Sequence, residues 1–262
     1  MNRKYHPISA VILAHQYSEL FERVVQSVTW CDEIIIVMSE QAKEIEDLCQ
    51  RISAKCHFRK FDGYGTQKQF AISLASHDWI LNIDSDEWVS PECQLEIRRV
   101  LDLESSQLVG GFTIFRQLVF LNKPMRFSGT ISRPLRLFNR TKAKMNSNLV
   151  HEEIETAERV NHLKKPVHHY SYLSLSDYFF KFNKYTSLAA EELFKKGKRT
   201  NPFLIWGRFP FLFIRRYVFQ LGFLDGQHGF TWCVLSAWYS VIKYLKLHEL
   251  WKKTGGEERN GA

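Results

Sequence analysis

Three carboxylates within four residues are the feature of this sequence that most directly suggests chemistry. Asp84, Asp86 and Glu87 follow the apolar segment Asp78–Ile83 (DWILNI), which is typical of a buried strand. Ligands of open parallel sheets bind beyond the carboxyl ends of the strands, and oxygen ligands there suit Mg²⁺ or Mn²⁺, which can bridge a diphosphate. An acidic turn that caps a helix beginning near Pro91 explains the same pattern, so the spacing alone leaves both interpretations open.

Two further segments carry side chains that fit phosphate or acid–base chemistry. Phe61–Lys68 (FDGYGTQK) is a glycine-containing loop that enters a predicted helix, where backbone N–H groups and the Lys68 ammonium could hold a phosphate. Asn148–Glu153 (NLVHEE) places the imidazole of His151 beside two carboxylates. Taken alone, the first segment is more typical of a plain turn, and the second of a surface ion pair.

The elements that must position these residues alternate between two periodicities over the first hundred residues. Strands are predicted at Ile8–Ala14, Glu33–Met38, Cys56–Phe61 and Asp78–Ile83, and helices at Glu19–Trp30, Gln41–Ile52, Thr66–Ala75 and Pro91–Leu101. This alternation predicts an α/β protein with a parallel, doubly wound sheet. Gly111–Leu121 and Arg133–Phe138 are then predicted as antiparallel strands, and a helical pattern begins at Tyr178–Lys198.

The excess of positive over negative charge lies entirely in the last third of the chain. The 262 residues include 36 Lys or Arg and 28 Asp or Glu, which gives a formal net charge of +8. Residues 1–180 hold 22 basic and 22 acidic side chains, whereas residues 181–262 hold 14 basic and 6 acidic ones, with 17 of the 37 aromatic residues. Aromatic residues flanked by Lys and Arg favour a membrane interface, and a helical core is the alternative. Nucleic acid is the weakest candidate partner, because no nucleic-acid-binding motif accompanies the charge.

Several classes of protein are disfavoured by the same sequence. Its five cysteines are widely spaced and form no CxxC pair, which argues against a zinc ribbon or a disulfide framework. Met1–Pro7 is short and polar, unlike a signal peptide, so we expect a cytoplasmic protein. Gly229–Ile242, the longest run that contains neither a charged residue nor a histidine, is shorter than the ~18 residues that suggest a spanning helix. His162, His168 and His169 lack a ligand spacing, and we expect structural roles for them.

Several motifs are spread over nearly the whole chain, and their combined order and spacing are specific enough to identify a protein family. They lie at Trp30–Val37 (WCDEIIIV), Gly63–Lys68 (GYGTQK), Asp78–Glu87 (DWILNIDSDE), Arg133–Phe138 (RPLRLF), Val150–Glu152 (VHE), His169–Tyr172 (HYSY), Leu221–Gly226 (LGFLDG) and Leu235–Leu250. In these motifs the chain resembles bacterial members of glycosyltransferase family 2. Within that family it is most similar to the lipopolysaccharide inner-core glucosyltransferases, which add a sugar to a core heptose.

The resemblance implies a fold, a reaction and a set of partners. The fold is a GT-A (Rossmann-like) domain that binds a nucleotide sugar, with a UDP-sugar as the expected donor and Mg²⁺ or Mn²⁺ as the expected cofactor. The reaction is inverting, metal-dependent transfer of a hexose, expected to be glucose, to an inner-core heptose of a lipid A-core acceptor. A non-catalytic glycan- or lipid-binding protein derived from the same fold is the alternative.

The resemblance and the charge distribution together predict regions with different functions along the chain. We expect residues 1–175 to form the catalytic domain and residues 176–253 to form a helical, amphipathic region that associates with an anionic membrane surface. Residues 254–262 are predicted to be a flexible tail. The expected location is the cytoplasm, peripheral on the inner face of the inner membrane.

Site residues follow from matching the family's motifs to this sequence. The resemblance implies that Asp84, Asp86 and His151 bind the metal, and that Glu152 is the general base, with Glu153 as the second choice. Such a base deprotonates the acceptor hydroxyl for in-line attack at C1 of the donor sugar. The residues expected to contact the nucleotide sugar are Ala14, His15, Ser39, Glu40, Gln67, Lys68, Asp84 and Ser85.

The sequence departs from the family's pattern after its first two strands. A Lys-Asn-Glu-Glu-like segment is usual after the first strand, and His15–Glu19 (HQYSE) stands there instead. The acid that usually holds the nucleobase after the second strand is replaced by Met38, whose thioether is a weak hydrogen-bond acceptor. Ser39 and Glu40 are the residues expected to substitute for it.

Overall fold

A computed structural model describes residues 6–102, 109–145 and 154–260 of the chain. The chain forms two compact units, Met1–Gln117 with Ser132–His169 and Leu118–Ile131 with Tyr170–Ala262. The second unit therefore takes a segment from the middle of the sequence as well as the C-terminal part. The functional division at residues 175 and 253 stays a prediction.

The first unit is built on a mixed β-sheet with helices on both faces. The ten strands of this sheet are β1 (Ile8–Ala14), β2 (Glu33–Met38), β3 (Lys55–Phe58), β4 (Trp79–Ile83), β5 (Glu87–Val89), β6 (Gly111–Phe120), β7 (Lys123–Pro124), β8 (Ile131–Ser132), β9 (Leu135–Asn139) and β12 (Val160–Tyr172). Their order is β3-β2-β1-β4-β9-β6-β12-β5, with β7 and β8 paired to β6. Two short strands, β10 (Ala143–Met145) and β11 (Ile154–Thr156), form a separate antiparallel pair.

The parallel half of the sheet contains the point where the order of the strands reverses. The chain runs outward from β1 through β2 to β3 and then returns to the other side of β1 as β4, with both neighbours parallel to β1. Ala14 aligns with Met38, and Ile12 with Ile83, so the carboxyl ends of these strands share one edge. In open α/β sheets this edge, at such a switch point, is where ligands bind.

Helices cover both faces of the parallel strands, which explains their continuous apolar sequences. The helices of this unit are α1 (Glu19–Gln26), α2 (Lys43–Ile52), α3 (Tyr64–Ser73) and α4 (Pro91–Val100). Ile12 packs in one buried cluster with residues of α1, α2 and α4, whereas its neighbour Val11 packs in a second cluster with Ala71 of α3. All seven residues of β1 are buried as a result.

Element boundaries differ from the sequence prediction mainly where turns replace helix or strand ends. α1 ends at Gln26, because Ser27 is its C-cap and the Trp30 indole N–H donates to the Ser27 carbonyl at 2.9 Å. β3 ends at Phe58, so the following residues form the loop into α3. β12 has no counterpart in the prediction, since its sequence is broken by lysines, histidines and a proline and lacks a regular alternation.

The second unit contains three long helices and a cluster of aromatic residues. Its helices are α5 (Leu175–Lys195), α6 (Pro202–Ile214) and α7 (Gly226–Asn260), with a π-helical turn at Arg215–Phe219 and a 3₁₀ turn at Gly222–Asp225 between the last two. Phe120 is fully buried, and its ring lies 6.2 Å from that of Tyr178 and 5.3 Å from that of Trp232. α7 continues to Asn260, into the segment predicted as a flexible tail.

Two polar anchors fix the second unit. The buried Asp225 carboxylate accepts hydrogen bonds from the backbone N–H groups of Arg126 and Phe127, at 3.2 and 2.9 Å, and thereby holds the segment Leu118–Ile131. The Lys246 ammonium of α7 donates to four oxygens of α5, which belong to the carbonyl and side chain of Asn183 and the hydroxyls of Thr186 and Ser187, at 2.8–2.9 Å.

Among the helices that the structure describes, none combines the length and the apolar character needed to cross a membrane.

Candidate active site

The carboxylates that follow β4 lie at the predicted edge of the sheet, where Asp84 is held between two cations. The Lys68 ammonium donates to Asp84 Oδ1 at 2.7 Å, and the Arg136 guanidinium donates to Asp84 Oδ2. Lys68 projects from α3 and Arg136 from β9, so elements on both sides of the strand end fix this side chain. Both carboxylate oxygens of Asp84 are therefore engaged by positive charge.

Glu87 forms the buried half of the same network. Its side chain is only 1% exposed and accepts hydrogen bonds from Arg136 at 3.0 Å and from Arg116 of β6 at 3.2 Å. Its second oxygen accepts from the backbone N–H of Asp84 at 3.1 Å, which closes the turn after β4. A buried carboxylate is tolerated only when paired in this way, so Arg136 links the turn to the core of the sheet.

The ion pairs determine the protonation states at the end of β4. Burial by itself would raise the pKa of Asp84, but the charges of Arg136 and Lys68 outweigh burial and hold that pKa well below its usual range. Burial would likewise lower the pKa of Arg136, but Glu87 and Asp84 hold it above its usual value. Asp84 stays ionised near neutral pH with both oxygens occupied, which suits an electrostatic role better than that of a proton acceptor.

Asp86 faces an imidazole from β12. The Asp86 Oδ2 and His169 Nε2 atoms lie 3.3 Å apart, and both side chains are partly exposed. A carboxylate oxygen and an imidazole nitrogen are suitable donors for Mn²⁺ or Mg²⁺, the nitrogen more so for Mn²⁺. Within the described ranges, no group of three His, Cys, Asp or Glu side chains is arranged to hold a metal ion. The donor pair therefore fits a cation that takes its other ligands from elsewhere.

The neighbouring His168 has a different environment. Its ring stacks on that of Trp88, with centroids 5.5 Å apart and planes 21° apart, and its Nδ1 atom is buried without a hydrogen-bond partner. Burial lowers the pKa of His168, so its ring is neutral at physiological pH. This is the structural role that the sequence predicts for it.

Three aromatic rings gather beyond the carboxyl ends of β1 and β3. The ring of His15 lies 5.8 Å from that of Phe61 and 5.7 Å from that of Tyr64, and the last two rings are 5.0 Å apart. Phe61 and Tyr64 are 43% and 56% exposed, although large aromatic side chains normally bury more of their surface. His15 Nδ1 also contacts the Ser39 hydroxyl at 2.7 Å. We call His15, Phe61 and Tyr64 the aromatic triad.

Gly63 makes the position of the triad possible. Its φ of +132° is a backbone conformation that L-residues rarely adopt, and it lies at the N-cap of α3 between Phe61 and Tyr64. Asp62 accepts hydrogen bonds from Arg59 at 2.6 Å and from Thr66 at 2.7 Å. The loop is therefore tied down at its centre while two of its rings face solvent.

The other residues predicted to contact the nucleotide sugar lie at the same edge with unequal access. Ala14 is buried and accepts a hydrogen bond from the Ser39 N–H at 3.0 Å. Gln67 is 2% exposed and donates to the Arg59 carbonyl at 2.9 Å, while its Oε1 atom is buried without a partner. Glu40 is exposed, and Ser85 is partly exposed. The ligand contacts of all these residues stay predictions.

Met38 is 2% exposed and packs in the main core cluster. Its side chain is thus part of the core, although its position is aligned with Ala14 at the carboxyl end of β2. His151, Glu152 and Glu153, which carry the predicted metal-binding and general-base roles, lie outside the described residues.

Four side chains of this site have no role in the sequence prediction. Arg116 and Arg136 lie about thirty and fifty residues, respectively, from the carboxylates they neutralise, so only strand pairing brings them together. The alternation of β9 (LRLFN), in which an arginine stands among buried residues, is the signal that could have identified Arg136. Phe61 and Tyr64 flank a glycine, and that pattern is equally typical of an ordinary turn.

Comparison with known proteins assigns a family to this arrangement. The family profile described as Glycosyl transferase family 2 matches residues 9–158. An uncharacterized glycosyltransferase of Rickettsia conorii is 30% identical over 259 residues, which span 92% of this chain and 90% of the relative. A lipopolysaccharide core biosynthesis glycosyltransferase of Rhizobium meliloti, LpsC, is 27% identical over 250 residues, which span 93% of this chain and 92% of the relative.

A similar solved structure is that of TarS from S. aureus. It covers 71% of this chain and 65% of its own, with a TM-score of 0.45 and 13% sequence identity.

Proposed function

Because this chain belongs to glycosyltransferase family 2, it is a glycosyltransferase with a GT-A-like α/β fold, and we propose that it transfers a hexose to the lipopolysaccharide inner core. The proposed donor is a UDP-sugar, expected to carry glucose, and the proposed acceptor is a heptose of a lipid A-core precursor. The relative named for lipopolysaccharide core biosynthesis, aligned over nearly its full length, supports this acceptor class. The site after β4 carries the proposal, because it combines paired charges with a metal-compatible donor pair at a ligand-binding edge.

Asp86 and His169 are the residues that we propose to hold the divalent cation, with Asp84 close by. When bound, Mg²⁺ or Mn²⁺ would neutralise the charge that develops on the leaving diphosphate. The predicted ligand His151 would complete this set. In this proposal His169 takes a role that its spacing in the sequence does not suggest.

Two cationic side chains, Lys68 and Arg136, have electrostatic roles in this proposal. The Lys68 ammonium is 17% exposed and lies 2.7 Å from Asp84, so it can reach a donor phosphate while keeping its ion pair. Arg136 holds Asp84 and Glu87 in place from the core side. Glu152, with Glu153 as the alternative, is the proposed base that deprotonates the acceptor hydroxyl for in-line attack and inversion at C1.

The aromatic triad is our proposed contact surface for the nucleobase. The buried Met38 cannot accept a hydrogen bond from a base, whereas the exposed rings of Phe61 and Tyr64 offer faces on which a base can stack. Ser39, fixed by its contact with His15, is the adjacent group that can form a hydrogen bond with the base edge. The donor would then extend from the triad toward Lys68 and Asp86 along the carboxyl ends of β1 and β4.

We place the enzyme at the inner face of the inner membrane, because its acceptor is anchored there and its C-terminal part carries the whole positive charge excess. A radiolabelled-sugar transfer assay on a heptose-bearing acceptor tests the function. We expect transfer that requires a divalent cation and that falls roughly 100-fold in Asp86→Asn.

Asp78→Asn is the matched control, since the Asp78 carboxylate is 62% exposed and lies at the start of β4 rather than at its end. Calorimetric titration of Mn²⁺ with UDP provides a readout that is independent of turnover, and Asp86→Asn and His169→Gln should both weaken binding. Cation-independent transfer would disprove the metal role. Nucleotide-sugar binding with no transfer to any heptose acceptor would instead favour a non-catalytic binding protein.

A further inference from the structure

α6 and the turns after it present many large apolar side chains to solvent. Leu204, Phe211, Ile214 and Val218 recur at the spacing of one helix face, and they are 48% to 65% exposed. The same surface is extended by other large apolar side chains that are 43% to 87% exposed, namely Phe203, Phe219, Leu221, Phe223 and Leu224. We call this set the α6 surface. Such a contiguous set is unusual for a surface that meets only water.

The opposite side of α6 explains why these residues face outward. Ile205 is fully buried, and the Phe209 ring lies 4.9 Å from that of Trp238 in α7. One turn further on, the Phe213 ring lies 5.8 Å from that of Phe230, also in α7. The helix is thus apolar on both sides, with one side packed on α7 and the other uncovered within the described residues.

The charge of this segment has a single sign. Residues 193–224 contain seven Lys or Arg and no Asp or Glu. The Arg208 guanidinium lies 3.7 Å from the centre of the Tyr244 ring in α7, and among the described residues no carboxylate forms an ion pair with it. A surface that is both apolar and purely basic is complementary to an anionic bilayer, whose acyl chains accept the phenylalanines and whose headgroups attract the basic residues.

A small cavity of about 100 Å³ lies at the end of α6, lined by Gly129, Leu212, Arg215, Arg216 and Gln220. Arg216 is held in place by a hydrogen bond from its Nη1 atom to the Ser128 carbonyl at 2.6 Å, and Arg215 is exposed. Gly129 has a φ of +67°, a backbone conformation that favours glycine, and a Cβ there would stand 2.5 Å from Gln220 Oε1. Two guanidinium groups at one small cavity suit a phosphate.

From these observations we propose that the α6 surface lies in the plane of the inner leaflet, and that the cavity at Arg215 and Arg216 binds the phosphate of a lipid headgroup. The phenylalanines and leucines enter the acyl boundary, while the arginines remain at the level of the phosphates. This inference rests on the proposed membrane location and identifies the part of the chain that provides it. The π-helical turn at Arg215–Phe219 places its arginines and Phe219 at the same end of the surface.

Flotation with vesicles of phosphatidylcholine, with or without phosphatidylglycerol, tests the proposal on the full chain. We expect binding to the anionic vesicles that weakens roughly fivefold in Arg215→Gln and at least roughly tenfold in Phe211→Gln/Phe219→Gln. Lys165→Gln and Leu95→Gln, which change exposed residues of the first unit, serve as charge and apolar controls and should bind like the unaltered chain.

A second measurement needs no substitution. Trp206 is 55% exposed on α6, so vesicles with brominated acyl chains should quench the tryptophan fluorescence of the unaltered chain. Absence of quenching, or equal loss of binding in Leu95→Gln and in the phenylalanine variant, would overturn the proposal.

Nucleotide-sugar binding in solution separates this proposal from the proposed function. The phenylalanine variant should bind UDP-glucose with unchanged affinity, because the altered residues belong to the second unit. If the unaltered chain does not bind UDP-glucose, the proposed function is contradicted and the proposal for the α6 surface is not.

Discussion

At the scale of single residues, Arg136 is notable because it is nearly buried and forms ion pairs with two carboxylates. One guanidinium, 11% exposed, neutralises both Asp84 and Glu87, and Glu87 has almost no contact with water. Breaking a buried pair by removing one partner leaves an uncompensated charge, whose cost exceeds the net value of the pair itself. The stability of the turn after β4 and the geometry of the site therefore depend on the same side chain.

We expect Arg136→Met to lower the free energy of unfolding by about 3–5 kcal/mol, because it leaves the Glu87 carboxylate short of a partner in the core. Urea denaturation monitored by circular dichroism measures this. Arg99→Met, at an exposed position of α4, is the control and should change stability by less than about 0.5 kcal/mol. Similar effects of the two substitutions would show that the network is not a structural requirement.

The aromatic triad leads to a prediction about substrate affinity. Removing one stacking ring costs ~1–3 kcal/mol per base, so Tyr64→Ala should raise the KM for the nucleotide sugar about tenfold with little change in kcat. Every base has a face to stack, so the increase should be alike for donors with different bases. Steady-state kinetics with UDP- and ADP-sugars measure both quantities.

Tyr185→Ala is the control for this prediction, since Tyr185 is 48% exposed on α5 and has no place in the proposed donor site. Ser39→Ala should instead alter the preference between bases, because it removes a hydrogen-bonding group and not a stacking face. An unchanged KM in Tyr64→Ala would exclude the triad as the nucleobase surface.

At the scale of elements, the parallel half of the sheet follows directly from the sequence. The predicted strands Ile8–Ala14 and Glu33–Met38 coincide with β1 and β2, because strands covered on both faces have continuous apolar sequences that need no further context. The resemblance to glycosyltransferase family 2 is confirmed by the profile match. The edge of the sheet where the acids, Lys68 and His15 gather is predictable for the same reason.

The antiparallel half was less predictable, since its pairings join distant segments. β5 is three residues long and pairs with β12 so that Glu87 aligns with His169, a juxtaposition that no local pattern indicates. The approach of His169 to Asp86 depends on this pairing, and the approach of Arg136 to Asp84 depends on the antiparallel pairing of β9 with β4. The sequence thus identifies the acids of the site and Lys68, but not Arg116, Arg136 or the metal-compatible position of His169.

Glu33 at the start of β2 connects elements at the edge opposite the site. Its carboxylate accepts hydrogen bonds from Ser9 of β1, from Lys55 of β3 and, at 2.7 and 2.8 Å, from the hydroxyl and N–H of Ser76. Burial would raise the pKa of Glu33, but these hydrogen bonds outweigh it and lower the pKa to about 2 from an ordinary value of 4.5. The ionised form is therefore stabilised by folding.

We expect Glu33→Gln to lower the free energy of unfolding by about 2 kcal/mol at neutral pH, a value discounted because the Lys55 partner is half exposed. A depressed folded-state pKa gives stability that is fully present above pH 4.5 and is lost as the pH falls toward 2. Denaturant titrations from pH 7 to pH 2 should show the difference from the unaltered chain shrinking over that interval. A difference that does not depend on pH would refute this assignment.

At the scale of the whole molecule, the two compact units are not consecutive in the sequence. Leu118–Ile131 belongs with the C-terminal helices, where Phe120 packs against Tyr178 and Trp232 and Asp225 binds the backbone of Arg126 and Phe127. A cut at the predicted boundary near residue 175 would remove all of these partners. The predicted catalytic domain of residues 1–175 thus includes the segment Leu118–Ile131, which packs with the C-terminal helices in the second unit.

We therefore expect a chain that ends at Leu175 to expose Phe120 and Met125 and to aggregate, even though the first unit keeps its own core. A chain that ends at Lys253 retains Tyr178, Trp232 and Lys246 and should stay monodisperse. Size-exclusion chromatography and binding of a hydrophobic dye distinguish the two chains. A soluble, dye-negative shorter chain would show that Leu118–Ile131 folds without the C-terminal helices.

The interleaved units also set an order of events during synthesis. Phe120 leaves the ribosome roughly a hundred residues before Trp232, the aromatic ring of α7 that lies 5.3 Å from it in the finished protein. At translation rates of about 5–20 residues per second, the nascent hairpin waits for roughly 5–20 s with its apolar side chains uncovered. α7 is then the helix that completes this cluster of the second unit, and protein quality control has that interval in which to bind or degrade the unfinished chain.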